Sequence, residues 1–407
     1  MIVFLVLILI VIIFVRLFKG MFAAFLVLVA TKSFMDAFWD IRVGPLSFSS
    51  VGGILIPILF YPVFLKMRCL PGKWISNAKL LFIAYSFGVL FAFPIKPMES
   101  LEILLININI LMGFLLIPLL VDSRDKLRKL LIAIMVSGMF PIAISIFQFQ
   151  TGILFSERQT AGLTRYVGLY HDAFPVRFYG MFTLFSCLMY LSIFKIKNKL
   201  SIVVLIALCC AALFSVYLVF SKAAVTIIVL WTLLMLAFSQ IKLKYVFFFS
   251  ICFILVSVNL GDVIYDNIQQ LFSKEVGYND GTYTDVRYTL AGRGYIWDDL
   301  WSFWINEQIP LFQWTGDGIN RPTHNEFLRV LLANGIIGLI LFSFFIFRSI
   351  KYVFEINKKV RVFGLMLLGM FFIDSLGLTP GVYYYYSILV WGIIGLLLLK
   401  PDLLKNI

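Results

Sequence analysis

The chain has 407 residues, of which 62% are hydrophobic and only 14% charged. A soluble core could not bury so much apolar surface, and the unbroken Leu/Ile/Phe runs exclude the short alternating segments of an outer-membrane barrel. The 34 basic and 21 acidic residues leave a formal charge of +13, which suits Lys/Arg-rich cytoplasmic loops; no nucleic-acid recognition module accompanies it, so no nucleic acid is expected as a partner.

The class predicted is an all-α polytopic integral membrane protein, with about 12 or 13 transmembrane helices and one large extracytoplasmic loop. Its first stretch, MIVFLVLILIVIIF, lacks a basic start and a small-residue cleavage site, so it reads as a first span and not as a cleaved signal. Basic connections follow at intervals: Lys66, Arg68, Lys73 and Lys79; Arg124, Lys126, Arg128 and Lys129; Lys195, Lys197 and Lys199; Lys242 and Lys244; and Arg348, Lys351, Lys358, Lys359 and Arg361. The positive-inside rule assigns these to the cytoplasm, with Lys400 and Lys405 anchoring the C-terminal end there.

The opposite face then receives a short loop near Lys96, a smaller loop at 151–175, a tight turn near Ser221, a large loop at 261–324 and a last turn at LTPGVYYYY. No internal repeat is evident, nothing resembles the Gly/Pro-broken helices of an inverted-repeat transporter, and no linker divides the chain. The expectation is one membrane domain, 1–407, carrying a small extracytoplasmic subdomain. The cysteines Cys69, Cys187, Cys209, Cys210 and Cys252 lack metal-ligand spacing and read as small hydrophobes.

The candidate chemistry lies on that face. Arg177 follows Pro175 just inside a span, where a charge is costly and marks function by default. The same smaller loop holds Arg158, Arg165 and the neighbours His171 and Asp172. Lys222, in VFSKAAVTII, is either a snorkelling lysine or a cation serving the same face.

The large loop is mostly acidic, so its arginines need a reason. In AGRGYIWDDLW, glycines flank Arg293 and suggest a tight, exposed guanidinium, whose planar fork suits phosphate or a loop aspartate. Trp297, Trp301 and Trp304 recur at helical spacing with Asp298 and Asp299 turned elsewhere. Such a face fits either a headgroup anchor or a platform for sugar rings. Arg321 closes the loop.

His324, one of only two histidines, follows at the doorstep of an apolar run, THNEFLRVLLANGIIGLILF. Thr323 is the expected N-cap and Glu326 the partner that closes a capping box. There the imidazole is either a general base near neutral pH or an interfacial group bonded to a loop carbonyl. Arg177, Lys222, Arg293 and Arg321 together with His324 form a kit for a lipid pyrophosphate: cations for the leaving diphosphate and a base for the attacking hydroxyl. Trp297, Trp301 and Asn325 are the candidate sugar contacts. No cofactor and no metal are expected, since no Asp/Glu/His cluster has ligand spacing.

Three patches in order, FSKAAVTIIVLW, GRGYIWDDLW and GDGINRPTHNEFLRVLLANGIIGLILF, resemble the signature region shared by the bacterial O-antigen polymerases and O-antigen ligases. GLYHDAFP is similar to the family's shorter periplasmic loop, with His171-Asp172 as a departure from its usual Pro-Asn; the resemblance covers 168–342. It implies a glycosyltransferase of the bacterial inner membrane, working on the periplasmic face with an undecaprenyl-pyrophosphate-linked oligosaccharide as donor. It implies His324 as the catalytic histidine and Arg293 as a catalytic, pyrophosphate-contacting arginine, with Lys222 where many members have Arg. Arg177 and Arg321 come from topology and not from the motif. A polymerase would extend the lipid-linked chain, while a ligase would move it to lipid A-core. Polymerase is favoured because the acidic large loop offers no basic surface for a phosphorylated core. A lipid-linked sugar transporter is the rival from another class. A chain-length regulator and a flippase are partners that the family context implies, beside the lipid bilayer.

Overall fold

The computed structural model describes residues 2–43, 46–238, 261–289 and 292–404; Lys242, Lys244, Cys252 and Lys405 fall outside them. Among the described residues the only strands are four two-residue pieces, in two antiparallel hairpins. Everything else of length is helix. Among the described residues six helices are long and apolar enough to cross a membrane: Gly72–Ala92, Pro97–Leu120, Arg124–Thr151, Ala173–Ile193, Lys199–Leu218 and Glu326–Glu355. The protein is therefore of the all-α, membrane-embedded class that its composition predicts.

Where the sequence suggests one membrane domain, the chain divides into two compact units, Met1–Ala133 with Trp297–Ile407, and Ile134–Ile296. In the first, the Pro97–Leu120 helix lies directly against Tyr384–Leu399. Small residues permit the approach: a Cβ on Gly113 would stand 2.7 Å from Ile388 Cα, and one on Gly392 would stand 3.0 Å from Gly113 O. Backbones this close gain dispersion contacts that lipid tails cannot replace. Around the seam Trp391 is fully buried, stacked on Phe114 at 5.5 Å and edge-on to Phe345 and Phe371 at 4.8 and 4.9 Å.

The Glu326–Glu355 helix is broken in a way its sequence did not suggest. Gly335 takes φ 66° and ψ −171°, a conformation that favours glycine. The carbonyls released by the break are taken by backbone that packs into the gap. Gly318 N donates to Ala333 O at 2.9 Å, Asp317 N to Leu332 O at 3.4 Å, and Gly88 N to the Asn334 side chain at 3.0 Å. Irregular backbone inside a span is tolerable only when protein groups satisfy it in this manner.

Charges buried in this unit come with partners. Lys32, 2% exposed, pairs with Asp36 one helical turn on and lies over the rings of Tyr384 and Tyr385. Asp374 accepts from Tyr386 Oη at 3.1 Å, and Arg329 pairs with Glu326 at 2.5 Å. The tyrosine run after LTPGV thus serves buried charges on two other helices, a role that a turn in sequence did not announce.

In the second unit the Ala173–Ile193 helix is central, with 78% of its apolar window buried, while Lys199–Leu218 is peripheral at 22%. Gly180 admits the approach, since a Cβ there would meet Val216 Cγ2 at 2.6 Å. Ser145 and Ser215 hydroxyls bond at 2.6 Å across the same unit, and Gln148 Oε1 accepts from Gly168 N at 2.6 Å. Helix 261–271, Ser273–Asn279 and a 3-10 turn at Val286–Tyr288 occupy the part of 261–324 that belongs here.

Candidate functional site

The second unit gathers three arginines. Arg177 lies in the first turns of Ala173–Ile193, after Asp172 has capped the helix by accepting from Ala173 N at 2.6 Å. It is 3% exposed, donates through Nη1 to Ser221 Oγ at 3.4 Å, and stands over the Phe174 ring at 5.3 Å. Arg165 follows the 159–164 hairpin and donates through Nη2 to Phe220 O at 3.2 Å, while its Nε is buried without a hydrogen-bond partner. Both therefore grip the turn at 218–221. That turn is shaped by Phe220, which adopts φ 45°, and by Ser221, which caps the Lys222–Ala237 helix by accepting from Ala224 N at 3.4 Å.

Arg293 is the third. Gly292 enters its helix at φ 77°. A Cβ on Gly294 would stand 2.5 Å from Arg287 Cα, so the flanking glycines permit tight packing, as the sequence suggests. The guanidinium is half-buried and not exposed as expected. Burial first, then the charges of Arg177 and Arg165, press its pKa below the ordinary arginine value, with Asp172 opposing. Arg165 is depressed likewise, by burial and by Arg177, again against Asp172. Arginine stays ionised regardless. The three guanidinium groups thus lie within electrostatic reach of one another and of Asp172, an arrangement that suits a multiply charged anion.

Lys222 is the first residue of its helix but is turned to another partner, with Nζ 2.5 Å from the Glu275 carboxylate and 5.2 Å from the Phe272 ring centre. His171 is exposed beside Asp172. Asp285 is held down to about 2, chiefly by the Arg287 side chain and backbone and also by Tyr295 Oη.

The other sequence candidates belong to the first unit. Arg321 is committed to Asp317 by a two-point ion pair at 2.9 and 2.5 Å, and stands 4.7 Å over the Phe303 ring. Trp297 donates through Nε1 to Thr323 O at 2.9 Å. Trp301, 47% exposed, stacks on Trp304 at 5.3 Å, which realises the aromatic face for those two rings; Asp298 and Asp299 are exposed.

His324 is exposed and takes φ 47°. The expected cap moves by two residues: Asn325, not Thr323, is the N-cap, its Oδ1 accepting from Leu328 N at 3.0 Å. Thr323 is fully buried and donates to Asn325 O at 2.8 Å. Glu326 closes no capping box because its carboxylate is drawn to Arg329 and to Gly381 N. Among the described residues no three His, Cys, Asp or Glu side chains converge.

Arg165 is the residue that sequence reasoning named in the smaller loop but left out of the cation kit. Its signal was weak, for it shares a loop with Arg158, and its anchor at Phe220 lies 55 positions away. Comparison with family models and with curated proteins gives no match for this chain.

Proposed function

We propose that the protein is a membrane glycosyltransferase. It polymerises undecaprenyl-pyrophosphate-linked oligosaccharide repeat units into O-antigen or a related surface polysaccharide on the periplasmic face of the bacterial inner membrane. The observation that carries this reading is the placement of Arg165 and Arg177 on one turn, bonded to Phe220 O and Ser221 Oγ with Arg177 buried, and of Arg293 within reach of both charges. A diphosphate is the doubly or triply charged group that such a cluster suits, and guanidinium forks match its oxygens.

In the transfer, the bond between the sugar C1 and the diphosphate oxygen breaks, and a bond from C1 to an acceptor hydroxyl oxygen forms. The electron pair leaves on the diphosphate, where the arginines offset the growing charge. The family resemblance gives the role of base for the hydroxyl proton to His324. Trp297, Trp301 and Asn325 are the proposed sugar contacts, while Lys222 and Arg321, proposed for the diphosphate, are each paired with a carboxylate, Glu275 and Asp317. The reading sets the Lys/Arg-rich connections in the cytoplasm, 151–175 and 261–324 in the periplasm, and about 12 or 13 spans in the bilayer. A flippase supplies the donor, and a chain-length regulator limits the product.

The test is a gel of lipopolysaccharide beside extracted lipid-linked glycan from a strain lacking the protein. Core capped with a single repeat and no ladder supports the polymerase. Bare core with long chains still on undecaprenyl pyrophosphate would replace it by the ligase. An unchanged profile, with capsule and exopolysaccharide also unchanged, would remove both.

A further inference from the structure

We propose that Glu326 and Gly381 are positioning residues, which hold His324 in its presented conformation. The inference rests on the reading of His324 as the base.

A non-glycine residue at φ 47° is strained, and such a conformation persists when its neighbours over-determine it. Here they do. On one side Thr323 is 0% exposed, and its carbonyl accepts from Trp297 Nε1 at 2.9 Å. On the other, Asn325 caps the helix through Oδ1 and donates through Nδ2 to Leu376 O at 3.4 Å. Glu326 is 0% exposed. Its carboxylate is 2.5 Å from Arg329 Nη2 and accepts from Gly381 N at 3.2 Å. Arg329 in turn lies 4.6 Å from the Tyr85 ring centre.

A carboxylate this deep stays only where it is neutralised and hydrogen-bonded, so the backbone at 326 cannot drift. Gly381 completes the clamp because any side chain there would push the ends of Glu326, Arg329 and Tyr85 out of their present contacts. A Cβ there would overlap Glu326 Oε1 and stand 2.5 Å from Arg329 Nη2 and 2.8 Å from Tyr85 Oη. With Thr323 and Glu326 both fixed, the backbone between them must turn at His324, and the imidazole goes to the surface.

A purely structural ion pair would have the same buried geometry, so the test needs a readout of His324 itself. The chain has two histidines, and the full-length protein labelled with 15N-histidine in detergent gives two imidazole spin systems, assigned with His171→Asn. Glu326→Gln and Gly381→Ala are measured for imidazole resonances and their pH titration, for melting, and for glycan transfer per folded molecule. Glu326→Asp keeps the charge on a shorter arm and serves if either variant fails to fold. The charge swap Glu326→Arg with Arg329→Glu tests rescue.

The expected result is that Glu326→Gln and Gly381→Ala move the His324 resonances and titration, leave those of His171 in place, and lower transfer at least about tenfold, since small misplacements of a reacting group are that costly. The swap recovers part of both. Unmoved His324 resonances in the folded variants would overturn the proposal, as would a loss of transfer that merely follows the loss of folded protein. His324→Ala separates the two ideas. Full transfer in that variant would end the role of His324 as base, while the resonances would still report whether the clamp sets its position.

Discussion

The two compact units treat buried charge in opposite ways. In the first, Lys32 with Asp36 and Arg329 with Glu326 form closed ion pairs, and Asp374 is hydrogen-bonded by Tyr386. In the second, Arg177 acts on both Arg165 and Arg293, with Asp172 as the carboxylate that opposes it at each. A closed pair gains little from a ligand, because taking one partner would strand the other. A cluster of like charges has more to gain from an anion. The comparison therefore points to the arginine cluster as the place to test the proposed site.

The largest effect should come from the cluster. Arg293→Ala is expected to cut glycan transfer about 100-fold or more with membrane insertion intact, as removal of one preorganised donor to a developing anion commonly does. Arg293→Lys, which keeps the charge and loses the fork, should fall between, and Arg165→Gln should lose about tenfold. Transfer rates in membranes, normalised to inserted protein, check all three. Wild-type activity in Arg293→Ala would break the comparison at its base.

Next comes the scaffold. Lys32→Met strands Asp36 beside the tyrosine run and should cost about 3 kcal/mol of stability. That appears as an earlier thermal midpoint in detergent, while the apparent affinity for the lipid-linked donor is unchanged in the molecules that remain folded. A weaker donor affinity would mean that the first unit's pairs also serve the ligand.

What was legible in the sequence follows the same division. The helical class was plain, because long apolar runs have one solution in lipid. The burial of Arg177 was plain as well, because it follows Pro175 at the start of an apolar run. Arg165 was not, since a loop arginine looks the same whether it faces solvent or the carbonyl of Phe220. The cap was misjudged for a related reason. Thr323-x-x-Glu326 matches a capping box, yet Glu326 is claimed by Arg329 and by Gly381, which is 55 residues away. The break at Gly335 was hidden because the groups that satisfy it, from Gly318 and Gly88, come from other segments. Local pattern reports local partners, and these sites are built from distant ones.

Lys222 sharpens the comparison at smaller scale, being a cation of the second unit that is nonetheless paired, 2.5 Å from Glu275. Both side chains are about a quarter exposed, at 22% and 26%, so water already weakens the attraction, and such pairs are worth up to about 1 kcal/mol. Glu275→Gln should then tighten donor binding by about threefold if Lys222 turns to the diphosphate. A titration of lipid-linked donor against initial rate decides it, and weaker binding would make Glu275 a support for the site and not a competitor.

The smallest effect belongs to Asp285, which accepts from Arg287 N, Arg287 Nε and Nη2 and Tyr295 Oη at 2.9–3.0 Å. These bonds favour the carboxylate, and its pKa falls to about 2 from a usual 3.8. A carboxylate whose folded pKa is depressed lends its stabilisation fully above the unfolded value and loses it as pH falls through the folded one. The contacts of the 3-10 turn at Val286–Tyr288 should therefore be indifferent to pH from neutrality to about 5 and loosen between about 4 and 2. Amide exchange in that turn is the measure, with Asp285→Asn showing flat behaviour across the window. Because the group is open to solvent, neither the variant nor the acid should move the global melting transition on this account. Loosening at pH 5 or above would place the sensitivity elsewhere, in a group with an ordinary or raised pKa.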